Sequence, residues 1–281
     1  MKIAALQMVS SHQLADNLNQ ASSLLAQAAQ AGAELAVLPE YFCLLGHKDT
    51  DKLQIQEQYR ASGYAGTANL SPIQDFLSAQ ARSLSMWLVG GSLPLTLDGC
   101  AAHSAQVHNS TLVYAPSGEC LARYDKMHLF CYDNGRERYD ESRTLQAGSV
   151  PVGFDLPSRD GHNWRVGLGI CYDLRFPELF RTLQADLLLL PSAFTHTTGQ
   201  AHWEVLLRAR AIENLAYVLA PAQGGQHSNG RRTWGHSMAI DPWGAVMDTL
   251  PAGPGVVLAQ ASAQRLADCR QQLPALEHRR L

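Results

Sequence analysis

The chain has 281 residues, enough to bury a sizeable hydrophobic core, and it is 46% hydrophobic and 17% charged, as in ordinary globular proteins. The formal net charge is −3 and no block of Lys or Arg occurs, which argues against a nucleic-acid-binding function. No apolar run approaches the roughly 20 residues of a membrane-spanning helix, so we expect no membrane role.

The cysteine pattern and the N-terminus both indicate a cytoplasmic protein. Six cysteines are scattered without a Cys-x-x-Cys pair, which is typical of reduced thiols and not of a disulfide framework. The N-terminal Met-Lys-Ile-Ala-Ala-Leu-Gln enters a strand-like segment directly, without the apolar stretch and cleavage site of a signal peptide. No metal-type spacing such as His-Glu-x-x-His is present, and we expect neither a metal nor another cofactor.

Strands and helices alternate in the first third of the chain. The apolar spacing predicts strands over 2–8, 34–38 and 86–95 and a helix over 16–31. A second helix begins at Ser71-Pro72, where serine is the expected cap and proline takes the first helical position.

The remainder of the chain is richer in strands. A turn over 116–119 joins strands 108–115 and 120–125, and the polar stretch 127–148 is predicted to be a functional loop because it is too long for an idle connection. Further strands are predicted over 165–170, 186–190, 217–220, 236–241, 245–250 and 256–259, with helices from about 177 and over 202–215. No linker or repeat is visible, so we expect a single α/β domain over residues 1–281, with helices packed outside sheets.

Three apolar strands end abruptly in an ionisable residue, namely Glu40, Lys126 and Cys171. Ligand clefts in α/β proteins lie at the carboxyl ends of strands. A thiol needs a base to become a nucleophile, and a nearby ammonium stabilises the resulting anions. Taken singly, Cys171 also fits a buried small side chain, Glu40 a turn residue and Lys126 a surface lysine.

The sequences around these residues resemble those of the nitrilase superfamily of carbon–nitrogen hydrolases. They read Leu-Pro-Glu40-Tyr-Phe, Tyr-Asp-Lys126-Met-His-Leu-Phe and Gly-Ile-Cys171-Tyr-Asp-Leu-Arg-Phe-Pro-Glu-Leu. They occur in family order, and the resemblance covers essentially the whole chain. It implies a four-layer α-β-β-α sandwich that forms a homodimer or higher homo-oligomer through helices, including the one near 177–184.

The resemblance also implies roles for these residues. Glu40 would be the general base, and Cys171 would attack the amide carbon to form a thioester with loss of ammonia. The oxyanion would be bound by Lys126 and by the backbone N–H of Tyr172. Glu141, in the loop after the lysine, would orient Lys126 or share in proton transfer.

The position of this second glutamate is open at the sequence level, because Glu137 lies in the same loop. Glu141 stands in Asp-Glu-Ser-Arg-Thr-Leu-Gln-Ala-Gly, the segment that matches the family pattern. We therefore favour Glu141, with Glu137 as the alternative.

Segments beyond the nucleophile resemble the branch of the superfamily that contains deaminated glutathione amidase and ω-amidase. Pro-Ser-Ala-Phe-Thr and Arg-Ala-Ile-Glu are closer to the former. The resemblance implies a small amide substrate that bears a carboxylate, with 2-oxoglutaramate or similar ω-amides as the alternative. The loops at 43–51, 130–138 and 224–232 depart from the branch and are expected to shape substrate choice.

A carboxylate on the substrate requires a cation near the thiol. Arg175, four residues after Cys171, is the candidate because a guanidinium binds a carboxylate through two parallel hydrogen bonds; the alternative is an ion pair with Glu178. Phe194 and Thr195 are expected to line the pocket, the alternative being core packing.

Other interpretations fit less well. A papain-like Cys-His enzyme lacks its local signature here, and Gly167-x-Gly169 lacks the third glycine of a dinucleotide-binding loop. We expect structural hydrogen bonds for His128, His202 and His236. A catalytically silent binding or scaffold protein on the same fold is the alternative of another class.

Overall fold

The computed structural model describes residues 1–60, 71–99 and 104–280. None of the helices in these ranges combines the length and the apolar character that a membrane span requires. The strands and α-helices are β1 Lys2–Gln7, α1 Leu14–Gln30, β2 Leu35–Val37, α2 Pro72–Leu84, β3 Trp87–Val89, β4 Leu93–Thr96, β5 Val107–Tyr114, β6 Cys120–Asp125, β7 Cys131–Asp133, β8 Arg138–Asp140, β9 Gly153–Pro157, β10 Asn163–Leu168, α3 Pro177–Leu183, β11 Leu187–Leu189, α4 His196–Asn214, β12 Tyr217–Ala220, β13 Ser237–Ile240, β14 Val246–Leu250, β15 Gly255–Gln260 and α5 Ala263–Gln272.

The strands of the described residues form two large mixed sheets. The first has the order β15-β1-β2-β3-β5-β4, with β6 also paired to β5, and its strands β1, β2 and β3 are parallel. The second has the order β14-β13-β12-β11-β10-β9, with β10, β11 and β12 parallel. Strands β7 and β8 form a separate hairpin.

The two sheets pack face to face with helices on their outer sides, as the β1 strand illustrates. Ile3 and Ala5 of β1 pack into the core shared with the second sheet, whereas Ala4 and Leu6 pack against α1 and α2. This alternation follows from the two-residue period of a strand. Helices α3 and α4 cover the second sheet, which confirms the predicted α-β-β-α sandwich.

The strand expected over 86–95 is instead two strands, β3 and β4, separated by a sharp bend. Gly91 lies in this bend with a φ of +54°, a conformation that favours glycine. A Cβ at this position would stand 2.1 Å from the carbonyl oxygen of Pro39. The bend therefore places the chain directly against the segment that carries Glu40.

Helix α2 begins where the sequence predicted, but its N-terminus is capped by a different residue. Ser71 makes no side-chain capping hydrogen bond. The buried carboxylate of Glu57 accepts from the backbone N–H groups of Ile73 at 2.6 Å and Gln74 at 3.1 Å. A carboxylate satisfies these free amides more strongly than a hydroxyl because it also interacts with the helix dipole.

Helix α4 begins six residues earlier than the sequence predicted. Thr195 caps it, since its Oγ1 accepts from the N–H of Thr198 at 3.2 Å. Helix α5 was not predicted, although Ser262 caps it in the same way, accepting from the N–H of Arg265. Strand β9 was not predicted either, and the loop expected over 127–148 contains the β7–β8 hairpin.

Candidate active site

Glu40 follows β2 and is 1% exposed. Its backbone carbonyl accepts from Nε2 of Gln223 at 3.1 Å, and its Oε1 accepts from Nδ2 of Asn109 at 2.9 Å. The next residue, Tyr41, has a φ of +53° and donates its N–H to Oγ of Ser92 at 3.0 Å. The carboxylate is thus fixed by both the backbone and a side-chain amide.

Lys126 follows β6, is 1% exposed and lies between two carboxylates. Its Nζ donates to Oε1 of Glu40 at 3.0 Å and to the two carboxylate oxygens of Glu141 at 3.0 and 2.8 Å. Its backbone N–H donates to the carbonyl of Asn109 at 2.9 Å. The two buried carboxylates and the buried ammonium form one hydrogen-bonded cluster.

The structure distinguishes between the two candidate glutamates of the loop by their contacts. Glu141 contacts Lys126 and accepts from the N–H of Phe130 at 2.7 Å. Glu137 instead accepts from the hydroxyl of Thr197 at 3.2 Å. Of the two, Glu141 is the one that the fold brings to the lysine.

Cys171 opens a 3₁₀ turn, Cys171–Arg175, just beyond the end of β10. Its φ of +49° lies in the left-handed region, which is unfavourable for a residue with a Cβ. Its N–H donates at 2.9 Å to the carbonyl of Pro191, two residues beyond the adjacent β11. The strained turn is held in place by the parallel strands beneath it.

The surroundings of the thiol favour its neutral form. Burial raises the pKa of Cys171 well above its ordinary value of 9.0, and the charge and hydrogen bond of Glu40 raise it further. The charge of Lys126 and the backbone amide of Ala193 act in the opposite direction. At neutral pH the resting thiol is therefore protonated, and Glu40 is the carboxylate whose charge acts on it.

Lys126 and Glu141 are held in their charged forms. Burial alone would lower the pKa of Lys126, but the charges of Glu141 and Glu40 raise it well above its ordinary value. Burial likewise acts to raise the pKa of Glu141, yet the charge and hydrogen bonds of Lys126 and the N–H of Phe130 lower it overall. The site contains a permanent cation that can donate hydrogen bonds to a developing oxyanion.

A buried carboxylate that the sequence analysis did not single out connects the cysteine turn to the lysine segment. Asp173 accepts from the N–H of Ile170 at 2.8 Å and from the hydroxyl of Tyr124 at 2.7 Å. Its other oxygen accepts from the N–H of His128 at 3.0 Å and lies 2.7 Å from Nδ1 of that residue. The sequence feature that could have identified Asp173 was its position two residues after Cys171.

A cavity that opens to solvent borders the nucleophile. All the residues predicted to contact substrate near the thiol border it. Its lining consists of Phe130, Cys171, Tyr172, Arg175, Ala193, Phe194, Thr195 and Thr198.

Arg175 faces this cavity without a carboxylate partner. Its guanidinium lies 5.6 Å from the ring centre of Tyr172 and 5.5 Å from that of Phe194. Its Nη1 is 3.2 Å from Nδ1 of His202. The alternative ion pair with Glu178 is not formed, and in the described part of the chain no carboxylate lies within 4.0 Å of this guanidinium.

Phe194 and Thr195 are both core residues and cavity residues. Phe194 is 5% exposed and its ring centre is 4.9 Å from that of Trp203. Thr195 is 2% exposed and caps α4. Packing in the core fixes the cavity wall that these two side chains provide.

The three histidines make the hydrogen bonds expected of structural residues. His128 contacts Asp173, His202 contacts Arg175, and Nδ1 of His236 lies 3.1 Å from the carbonyl of Trp234. Within the described ranges, no group of three or more His, Cys, Asp or Glu side chains could hold a metal ion.

Comparison with known proteins agrees with this arrangement. Residues 2–271 match the carbon-nitrogen hydrolase family. The chain is 41% identical to the deaminated glutathione amidase of Synechocystis sp. over 98% of its length and 97% of that protein. It is 34% identical to the human omega-amidase NIT2, over 99% and 95% of the two chains.

A solved structure shows the same fold. The Saccharomyces cerevisiae protein Nit3, described as a member of branch 10 of the nitrilase superfamily, superposes with a TM-score of 0.83 at 27% identity, covering 100% of this chain and 97% of that one. The layered fold, the match over nearly the whole sequence and the two relatives agree. This chain is therefore an amidase-type enzyme of the carbon–nitrogen hydrolase family within the nitrilase superfamily.

Proposed function

We propose that the protein hydrolyses the amide bond of a small carboxylate-bearing substrate through a thioester on Cys171, and that residues 1–281 form one domain for this purpose. The observation that carries the proposal is the position of Lys126 Nζ, 3.0 Å from Glu40 and 2.8 Å from Glu141, beside a buried thiol. These are the groups that acyl transfer to a thiol requires.

In acylation, Glu40 accepts the thiol proton as Sγ of Cys171 attacks the amide carbon. The carbonyl oxygen becomes an oxyanion that accepts hydrogen bonds from Lys126 and from the backbone N–H of Tyr172. When the C–N bond breaks, the proton held by Glu40 passes to the leaving nitrogen. A primary amide releases ammonia and a substituted amide releases an amine.

In deacylation, Glu40 accepts a proton from a water molecule that attacks the thioester carbon. The second tetrahedral intermediate uses the same oxyanion donors and collapses with cleavage of the C–S bond. The thiolate of Cys171 then takes the proton back from Glu40. Glu141 keeps Lys126 charged and oriented through both steps.

Deaminated glutathione is the substrate that we propose, with ω-amides such as 2-oxoglutaramate as the alternative. The relative named for the former is 41% identical to the chain and the human omega-amidase is 34% identical. Arg175, which borders the nucleophile's cavity and has no carboxylate partner in the described chain, supports a substrate that carries a carboxylate on its acyl side.

The purified enzyme should be assayed with both compounds, by release of the amine product for deaminated glutathione and of ammonia for 2-oxoglutaramate. We expect kcat/KM to be at least about tenfold higher for deaminated glutathione, since a few contacts to the larger leaving group are enough for that difference. A reversed order favours the ω-amidase alternative. A scaffold protein would hydrolyse neither compound.

We also propose a cytoplasmic homodimer or higher homo-oligomer. The described cysteines, which do not include Cys100, are free thiols, as in reducing compartments. Exposed apolar side chains lie on α4 and on the neighbouring hairpin, among them Val205 at 69%, Ile212 at 46% and Trp243 at 49% exposure. Such a surface supports contact with a second copy.

A further inference from the structure

A second cavity lies beside the two glutamates and has no part in the mechanism above. It is bordered by the loops at 43–51 and 224–232, which Asn229 joins by donating its Nδ2 to the carbonyl of Gly46 at 2.6 Å. Its lining consists of Tyr41, Leu44, Leu45, Gly46, Lys48, Asp49, Lys52 and Arg231.

Two polar atoms on the residues that line this cavity are buried and lack hydrogen-bond partners. The hydroxyl of Tyr41, a residue that is 8% exposed, has none among the described residues. The same holds for Nε of Arg231, within that part of the chain. Buried polar atoms in folded proteins are nearly always paired, so two unpaired donors on one cavity indicate a ligand with acceptor atoms.

Three cations and one carboxylate line the cavity, so its net charge is positive, although burial lowers the pKa of Lys52. Lys52 lies with its Nζ 3.3 Å from the hydroxyl of Thr144 and 5.1 Å from the ring centre of Tyr41. The guanidinium of Arg231 lies 5.1 Å from the ring centre of Tyr139. In the described ranges neither cation has a carboxylate within 4.0 Å. The ligand that satisfies these groups is an anion.

The position of the cavity indicates which part of a substrate enters it. Tyr41 directly follows Glu40, whose carboxylate is joined to that of Glu141 through Lys126 Nζ, at 3.0 and 2.8 Å. Thr144, the partner of Lys52, donates its N–H to the carbonyl of Glu141 at 3.0 Å. The leaving nitrogen must lie next to the carboxylate that protonates it, so its substituent extends towards this cavity.

We propose that Tyr41, Lys52 and Arg231 form a subsite for an anionic group on the nitrogen side of the scissile amide, a specificity that rests on the proposed amidase function. The enzyme then prefers secondary amides whose leaving amine carries a carboxylate. Arg175 binds the anionic group on the acyl side, and the second cavity binds the one on the amine side.

The test uses two amides of glutaric acid that differ only on nitrogen, the N-carboxymethyl and the N-propyl monoamide. The measurement is the ratio of their kcat/KM values, which cancels any general change in the catalytic groups. For the wild-type enzyme we expect a ratio of at least about ten in favour of the anionic leaving group, the effect of one charge-assisted hydrogen bond. Lys52→Met and Arg231→Gln should each lower that ratio about tenfold.

Two control variants test whether the preference for the anionic leaving group depends on a positive charge in this cavity. Lys52→Arg keeps the charge and should keep the preference, which also shows that the position tolerates substitution. Arg159→Gln removes an exposed cation from the β9–β10 turn, at the opposite end of β10 from Cys171, and should leave the ratio unchanged.

The possible results distinguish failure of the subsite from failure of the amidase proposal. A wild-type ratio near one, or a ratio that Lys52→Met and Arg231→Gln leave unaltered, overturns the subsite even if both amides are cleaved. If the variants lose kcat/KM equally for both amides, the subsite is also overturned. Lys52 and Arg231 would then act through the charges of Glu40 and Glu141 and not by binding the leaving group. If neither these amides nor glutaramate is cleaved, the amidase proposal fails and the subsite fails with it.

Discussion

At the scale of single residues, the chemistry depends on one ammonium held between two carboxylates. The motifs around Glu40, Lys126 and Cys171 allowed these three positions to be selected from the sequence, and the structure brings them together. Asn109 and Asp173 were not predicted as site residues, because their role is to connect segments that are far apart in the sequence. A run of polar residues inside the fully buried strand β5 was the one signal for Asn109.

We expect Glu40→Gln to reduce kcat/KM at least about a thousandfold, because the amide can accept a proton neither from the thiol nor from water. Rapid-quench kinetics should show no burst of acylated enzyme. Glu137→Gln is the matched control, since Glu137 lies in the loop that carries Glu141 but contacts Thr197. A normal burst in Glu40→Gln would assign the base to another residue.

Arg175→Ala should raise KM for amides with an acyl-side carboxylate and change kcat less. Loss of a bidentate charged contact corresponds to about 10- to 100-fold in kcat/KM. The same measurement with a neutral amide of equal length is the control. An equal loss with that neutral amide would mean that Arg175 supports the cavity wall and does not bind the carboxylate.

At the scale of secondary-structure elements, the fold brings strand ends together and side chains then fix the segments that follow them. Apolar periodicity predicted most of these strands. It did not predict the start of α4 or the presence of α5, because their first turns are polar and their signal is a single capping residue. The break between β3 and β4 was also missed, since both halves are apolar and the bend depends on Gly91.

Asp173→Asn should weaken the connection between the cysteine turn and the lysine segment. An amide replaces one acceptor oxygen with a donor that faces other donors, so we expect a loss of about 1–3 kcal/mol in the free energy of unfolding. Urea unfolding measures this loss, and kcat should fall with it. Asp155→Asn, at an aspartate whose side chain is 61% exposed on β9, is the control. Unchanged stability and kcat in Asp173→Asn would show that the network has no structural effect.

At the scale of the whole molecule, the alternation of strands and helices was enough to predict a layered α/β fold. The spatial order of the strands was not predictable from local pattern, because β15 pairs with β1 across almost the entire chain. The same long-range packing buries thiols and phenols, which makes stability depend on pH.

We expect the free energy of unfolding to fall above about pH 9. Burial raises the pKa of Cys43 and Cys171 above the ordinary value of 9.0, and that of Tyr41 and Tyr124 above 10.0. The unfolded chain therefore loses these protons at a lower pH than the folded protein, and rising pH favours unfolding. Urea midpoints at pH 7.5 and 10.5 test this, and equal midpoints would contradict it.

In the proposed mechanism the sulfur of Cys171 carries the acyl group of the substrate. Acid quenching during turnover of a good amide substrate, followed by proteolysis and mass spectrometry, measures this directly. We predict an acyl adduct on the peptide that contains Cys171, a thioester that hydroxylamine removes, and neither adduct nor turnover in a folded Cys171→Ala variant. Turnover by that variant, or an adduct on another residue, would rule out Cys171 as the nucleophile.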